Sequence, residues 1–234
     1  MEEEKVNMEE QLQLIVDSSV SNSEDQEIAR EIKIKEIIFI SWNTFKNNIK
    51  FLLLIPLISI SIRVVESLLR NFSSDNFVLT MILATIFFVL NVLISIGMMQ
   101  LYLKISRGKE VELTELLDGY EYFWRFIGGV ILYVLIVLSG YILLIVPGII
   151  WQYKFSLFGY LIIDKNMSIV QALKESGKIT NGFKWRLFLL QLATIPIIIL
   201  GVMCFGVGII VSVSIISLMS AYFYRVLIGE KIYS

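Results

Sequence analysis

Residues 77–103 read FVLTMILATIFFVLNVLISIGMMQLYL, an apolar run without a charged side chain. A helix rises about 1.5 Å per residue, so roughly 20 residues cross the hydrocarbon core of a bilayer. Other apolar runs of similar length occur along the chain, which is 56% hydrophobic with a mean hydropathy of +0.76. Soluble domains are only about 45–50% apolar. The sequence therefore predicts an all-α integral membrane protein.

The apolar runs predict six transmembrane helices in three hairpins, each preceded by an amphipathic cytoplasmic segment. The polar loop 71–76 closes the first hairpin. The second is expected to turn at Pro147-Gly148, because proline fixes φ and glycine adopts conformations that other residues avoid. The predicted membrane domain is 31–234, with spans at about 51–69, 77–103, 126–146, 149–163, 186–203 and 207–227.

Charge divides the chain into an acidic tail and a basic body. Residues 1–31 carry ten acidic and two basic side chains, so residues 32–234 carry eleven acidic and eighteen basic ones. The start is acidic, and no long apolar run follows until Phe51, so no cleavable signal peptide is predicted. Residues 1–30 are predicted to form a cytoplasmic tail that is disordered or marginally helical.

Basic residues alternate between rich and poor connections, which predicts the orientation, since cytoplasmic loops are enriched in lysine and arginine. The poor connections are the loop after Arg70 and the turns at Pro147-Gly148 and Gly206. Both termini are therefore predicted to be cytoplasmic. The rich segments contain Lys33, Lys35, Lys46 and Lys50; Lys104, Arg107, Lys109 and Arg125; Lys165, Lys174, Lys178, Lys184 and Arg186; and Arg225 and Lys231.

The composition excludes several kinds of chemistry within the chain. There is no histidine, and the single cysteine, Cys204, lies in an apolar run. An internal disulfide, a Cys/His metal site and a histidine-activated nucleophile are therefore excluded. We expect no enzymatic activity, no cofactor and no nucleic-acid partner.

Four polar side chains within the predicted spans are candidate site residues: Arg63, Glu66, Asn91 and Lys154. Counting about 1.5 Å per residue puts Arg63 and Lys154 each roughly 10 Å below the outer surface. One hypothesis is a site for an anionic headgroup or solute. The alternative is a structural pair of Glu66 with Arg63 or Lys154, together with snorkelling of the long side chains. Asn91 is expected either to line a polar path or to bond between helices.

Local signals predict an amphipathic helix over 169–180 on the cytoplasmic membrane surface. Ser168 and Gln171 have the spacing of a capping box, and Asn181-Gly182 is a stop signal. The helix would turn Ile169, Ala172, Leu173 and Ser176 toward the membrane or the bundle.

Three motifs carry a resemblance: PGIIWQYKFSLFGYLIID at 147–164, ALKES at 172–176 and GFKWRLF at 182–188. They resemble an uncharacterised family of bacterial multi-pass membrane proteins and, more remotely, the membrane domain of some glycerophosphoryl diester phosphodiesterases. The resemblance implies a fold and a location in a prokaryotic plasma membrane, but no reaction. Its motif positions include Pro147, Gly148, Lys154, Asp164, Trp185 and Arg186. Asp164 is expected to cap the following helix or to pair with Arg186 or Lys184.

These observations predict a non-enzymatic protein that acts through lipid or a partner protein. The expected partners are the bilayer, with anionic lipids at the cytoplasmic face, and a membrane-protein partner or a second copy of the chain. The alternative is a small transporter or permease component. Transport predicts a solvated cavity near Asn91, whereas a scaffold predicts that the amides are buried in helix contacts.

Overall fold

The computed structural model describes residues 34–72, 76–203, 207–230 and 232, and the regular structure in these ranges is helical. The predicted tail 1–30 lies outside them. The helices are α1 Ile34–Asn47, α2 Ile49–Phe72, α3 Phe77–Ser106, the 3₁₀ helix η1 Leu113–Tyr122, α4 Phe123–Leu143, α5 Ile145–Lys154, α6 Phe158–Lys165, α7 Ile169–Ile179, α8 Lys184–Met203 and α9 Val207–Leu227.

Five helices of the described chain are long and apolar enough to cross a membrane: Ile49–Phe72, Phe77–Ser106, Leu113–Leu143, Trp185–Met203 and Gly208–Leu227. They cover the predicted spans except the fourth. Their outer faces carry large apolar side chains, and Ile86, Leu135 and Leu200 are each more than half exposed. Such surfaces suit hydrocarbon, because lipid tails are as apolar as leucine. For the described residues, the expectation of an all-α chain with several helices long and apolar enough to span a membrane is confirmed.

The predicted fourth span, 149–163, is wrong as a single helix. It is divided into α5 and α6, with Phe155, Ser156 and Leu157 between them. Each helix alone is too short to cross about 30 Å of hydrocarbon. The carbonyl of Lys154 accepts hydrogen bonds from the Ser176 hydroxyl at 3.1 Å and from the Thr180 hydroxyl at 2.9 Å. The interruption is therefore stabilised by side chains of α7.

The predicted turn at Pro147-Gly148 lies earlier, at Leu144, which has extended backbone angles between α4 and α5. Pro147 lies in the first turn of α5, where a missing N–H leaves no helical hydrogen bond unmade. Gly148 packs against α4, and a β-carbon there would lie 2.9 Å from the backbone nitrogen of Tyr141. The pair therefore lets α4 and α5 approach closely instead of forming the tip of the hairpin.

Helix α9 is at the centre of the bundle. It contacts α1, α2, α3 and α8, and its last two turns are buried, including Tyr222, Tyr224 and Val226. Helix α1 buries Ile37, Ser41 and Phe45, and the hydroxyls of Thr44 and Tyr222 lie 2.7 Å apart. The amphipathic segment before the first span is thus docked on the protein.

The helix predicted over 169–180 is confirmed as α7. Its start is capped by Gln171, whose Oε1 accepts from the Ser168 backbone N–H at 3.3 Å and from the Ser168 hydroxyl at 2.9 Å. Gly182, with φ +85°, follows its end. The face with Ala172, Leu173 and Ser176 is buried, and the Ser176 hydroxyl accepts from the backbone N–H of Leu157 at 3.2 Å. This face therefore packs on the bundle.

Candidate functional site

An ion network joins the ends of three helices. Arg107, directly after α3, donates to both carboxylate oxygens of Asp164 in α6, at 2.5 and 2.8 Å. Its other contacts are with Glu230, beyond α9, where Nη2 to Oε1 is 2.5 Å. We call Arg107, Asp164, Tyr224, Arg225 and Glu230 the Arg107 network. It links segments separated by 57 and 123 residues in the sequence.

Helix α9 completes the network with two side chains. The Tyr224 hydroxyl donates to Asp164 Oδ2 at 2.9 Å, and Arg225 Nε donates to Glu230 Oε2 at 2.7 Å. Arg225 also donates to the backbone carbonyl of Ser106 at the end of α3. Two cations and two carboxylates balance, so the cluster is neutral.

The network keeps its carboxylates ionised. Burial opposes ionisation of Asp164, but hydrogen bonds from Arg107 and Tyr224 outweigh it and lower the pKa of this carboxyl. The pKa of Glu230 is lowered in the same way by hydrogen bonds from Arg107 and Arg225, against the effect of its burial. The hydrogen bonds with Asp164 contribute most to raising the pKa of Arg107.

The partner of Asp164 differs from the prediction. Asp164 pairs with Arg107, which the sequence analysis used only for orientation, whereas Arg186 lies over the ring of Phe183 at 5.7 Å. Trp185, the neighbouring motif residue, stacks on Phe188 at 5.2 Å. The motif aromatic and the motif acid thus belong to different contact clusters.

Three polar residues of the first two spans, Glu66, Arg70 and Asn91, form a cluster between α2 and α3. Glu66 pairs with Arg70 at 2.7 Å, one turn along α2. Asn91 donates to Glu66 Oε2 at 3.2 Å and to the carbonyl of Phe87 at 2.8 Å. Asn91 is thus held in a contact between α2 and α3. Arg63 is absent from the ion pairs of Glu66 in the described part of the chain.

Lys154 lies against α7 instead of joining this cluster. Its ammonium lies over the ring of Phe155 at 5.3 Å, and its Cε would be 3.1 Å from a β-carbon built on Gly177. The predicted polar layer of Arg63, Glu66 and Lys154 therefore has no pairing contact among its members in the described ranges.

A first cavity of about 460 Å³, the Arg63 cavity, lies between α2, α3, α6 and α9. Arg63 is the only side chain in its lining that carries a formal charge. Within the described residues, the guanidinium has no ion pair or hydrogen bond. The polar part of the lining also includes Ser59, Ser95, Tyr102, Tyr160 and Ser217.

A second cavity of about 450 Å³, the Gln191 cavity, lies between α6, α8 and α9. No Asp, Glu, Lys or Arg lines it. Ser156, in the interruption between α5 and α6, is part of its wall. Its other hydrogen-bonding side chains are Tyr160, Gln191, Thr194 and Ser220.

The two cavities share a wall that leads to the Arg107 network. Met99 and Tyr160 line both cavities. The ring of Tyr160 stacks on Tyr224 with centroids 5.0 Å apart, and Tyr224 donates to Asp164. The network therefore helps to position Tyr224, the ring on which the shared wall residue Tyr160 stacks. Of the functional candidates, sequence reasoning missed Tyr160, Tyr224 and Glu230, which no linear motif connects.

No cluster that could hold a metal occurs among the described residues, since no three His, Cys, Asp or Glu side chains come together there. Apolar helices of membrane-spanning length are typical of a helical membrane protein. A family model described as "Protein of unknown function (DUF975)" matches residues 34–231, and the chain belongs to that family. The resemblance to an uncharacterised family is thereby confirmed.

Neither the curated proteins nor the solved structures contain a match to this chain. No link to glycerophosphoryl diester phosphodiesterases is shown. The comparisons therefore identify the family of this chain without assigning it a function.

Proposed function

We propose that this chain is a non-enzymatic integral membrane protein that binds the acidic head of an anionic amphiphile in the Arg63 cavity. One observation carries the proposal. Arg63 lies within an apolar helix beside a cavity, and it makes no ion pair with any described residue, since the nearby carboxylate of Glu66 pairs with Arg70. A cation at hydrocarbon depth is costly, and such residues commonly mark ligand or ion sites. An acidic head would offset that cost.

The depth and chemistry of Arg63 support this role. It lies nine residues before the end of α2, which is about 14 Å along the helix. The guanidinium carries five N–H donors in a planar fork that matches a carboxylate or a phosphate. Ser59 lies one turn earlier in α2 and lines the same cavity, so its hydroxyl can add a hydrogen bond to the same head. The other lining side chains are largely apolar and suit a hydrocarbon tail.

The proposed topology has six crossings, with both termini in the cytoplasm and the protein in a prokaryotic plasma membrane. The alternation of basic residues supports this orientation. Together, α5 and α6 supply 18 helical residues, a length of about 27 Å. That length suits a fourth crossing made of two consecutive helices. Interrupted helices are tolerated in membranes where protein covers the open backbone groups, as α7 does here.

The test compares the parent protein with Arg63→Gln, Arg63→Lys and the control Arg70→Gln combined with Glu66→Gln in proteoliposomes. The probe is a palmitic acid that carries a diazirine and an alkyne, and a phosphatidic acid with the same labelled chain distinguishes a carboxylate head from a phosphate head. A charge-assisted hydrogen bond contributes about 1.5 kcal/mol or more, so labelling of α2 and α3 should fall about tenfold in Arg63→Gln. Arg63→Lys should retain part of the labelling.

Arg70→Gln, made together with Glu66→Gln so that the freed carboxylate cannot pair with Arg63, is a matched control, because it removes a cation from the same helix without altering the cavity lining. It should label like the parent protein. Equal labelling of Arg63→Gln and the parent would refute the proposal, since Arg63 would then only snorkel toward the interface.

A small transporter is the second candidate. The observation in its favour is that two cavities meet at Tyr160 beside the interrupted α5–α6 segment. Transporters commonly build substrate sites beside interrupted helices. A transporter and a binding protein can be distinguished in proteoliposomes that contain a fluorescent anionic amphiphile. A quencher that reaches only the outer leaflet shows whether the amphiphile exchanges between the two leaflets. Exchange between leaflets that is lost in Arg63→Gln would favour transport, whereas binding without exchange would favour a binding protein.

A further inference from the structure

Three hydroxyls in the Gln191 cavity donate their protons to backbone carbonyls of their own segments. Ser156 donates to Tyr153 at 3.0 Å, Thr194 donates to Gln191 at 2.6 Å, and Ser220 donates to Ile216 at 3.0 Å. A hydroxyl has one proton and two lone pairs, so these three oxygens are left as acceptors. They come from three different segments: the α5–α6 interruption, α8 and α9.

Two further groups complete the polar lining. The side-chain amide of Gln191 and the hydroxyl of Tyr160 make no hydrogen bond with any other described residue, so both remain open to a ligand. Each can donate as well as accept. Acceptors therefore outnumber donors around the cavity, which favours a ligand whose polar group donates hydrogen bonds.

The same lining disfavours a ligand with a charged head. No Asp, Glu, Lys or Arg lines the Gln191 cavity, so a charged head there would be desolvated without a partner of opposite charge. The remaining wall is apolar, with Leu187, Leu190, Ile198, Ile216, Met219 and Phe223. A mostly apolar wall with a few convergent polar groups is the usual form of a small-molecule site.

We infer that the Gln191 cavity is a second ligand site, which binds an uncharged amphiphile whose head donates hydrogen bonds, such as an alcohol or an amide N–H. Its chemistry differs from that of the Arg63 cavity, where the single cation favours an acid. The two sites share only Met99 and Tyr160 in their linings. The inference therefore stands independently of the proposed function.

The experiment uses three photoreactive probes with one labelled hexadecyl chain: the alcohol, its methyl ether and the carboxylic acid. The ether keeps the acceptor oxygen of the alcohol but has no donor. Full-length protein in proteoliposomes is labelled, and the modified peptides are located by mass spectrometry. The alcohol should label α8 and α9 about fivefold more than the ether, the factor that corresponds to one net hydrogen bond.

One double cavity variant and one control locate the site. Thr194→Val and Ser220→Ala each remove one acceptor, but a single alcohol proton needs only one, so the two changes are combined, and the double variant should lower alcohol labelling of α8 and α9 by about two- to fivefold. Thr85→Val is the control, because Thr85 makes the same bond to its own helix, 2.9 Å to the Met81 carbonyl, but lies outside both cavity linings. It should label like the parent.

Arg63→Gln separates this inference from the proposed function. It should leave alcohol labelling of α8 and α9 unchanged, even if acid labelling of α2 and α3 also stays unchanged. Equal labelling by the alcohol and the ether would overturn the inference, because the cavity would then hold acyl chains without regard to the head. Stronger labelling of α8 and α9 by the acid than by the alcohol would overturn it as well.

Discussion

Replacing Asp164 by asparagine tests whether the Arg107 network holds the bundle together. The aspartate side chain is 13% exposed and receives two hydrogen bonds from Arg107 and one from Tyr224. Asparagine keeps one acceptor oxygen, which can serve Tyr224, but its amide N–H₂ group would face the donors of Arg107. Arg107 would then retain only the carboxylate of Glu230, which is already shared with Arg225.

The expected loss of unfolding free energy in Asp164→Asn lies between two limits. Breaking a fully buried ion pair costs about 3–5 kcal/mol, whereas an exposed pair contributes about 0–1 kcal/mol. The side chain of Arg107 is 21% exposed, so the pair is partly screened and Glu230 partly compensates. We expect Asp164→Asn to lower the free energy of unfolding by about 2 kcal/mol. For a chain of this size, that corresponds to a fall of about 4–8 °C in the melting temperature.

The assay is thermal unfolding in detergent, followed by intrinsic fluorescence. Glu175→Gln is the matched control, because it makes the same carboxyl-to-amide change in a pair with Lys178, whose side chain is 75% exposed. The control should melt within about 1–2 °C of the parent, as expected for a surface pair. If Asp164→Asn melts like Glu175→Gln, the network contributes no stability to the bundle.

Two further predictions follow from the packing and the charges. The folded pKa values of Asp164 and Glu230 are lowered, so their contribution is complete above the unfolded values of about 4. The melting temperature should therefore be constant from pH 8 to about pH 5 and fall below about pH 4. The fall should be shallower in Asp164→Asn. An equally steep fall in this variant would show that Asp164 does not contribute to the pH dependence. Gly97→Ala should destabilise the protein by about 2 kcal/mol or more, because its β-carbon would lie 2.0 Å from the backbone oxygen of Leu116. A β-carbon at Gly177 would lie 3.1 Å from the flexible Lys154 chain and 3.4 Å from the ring of Phe155, which is ordinary contact, so Gly177→Ala should melt close to the parent.

Part of the candidate site is visible in the sequence. Arg63 is recognisable as a candidate because a charge inside an apolar run is costly wherever the helix is placed. Asn91 and Asp164 are recognisable as polar side chains in or beside the spans. The partners of Asp164 are not, because the Arg107 network joins residues 57 and 123 positions apart, and no periodicity relates them.

The sequence by itself determined the long membrane-capable helices and the position of α7. Span length follows from the thickness of hydrocarbon, and the ends of α7 follow from side chains within three residues of Ser168 and from Gly182. Only the tertiary structure decided the interruption between α5 and α6. The stretch 149–163 is apolar enough for a continuous helix, yet Ser176 and Thr180 bond to the carbonyl of Lys154 from 22 and 26 residues away. A backbone carbonyl without a helical partner is tolerated where distant side chains donate hydrogen bonds to it. The local sequence does not show which distant residues those are.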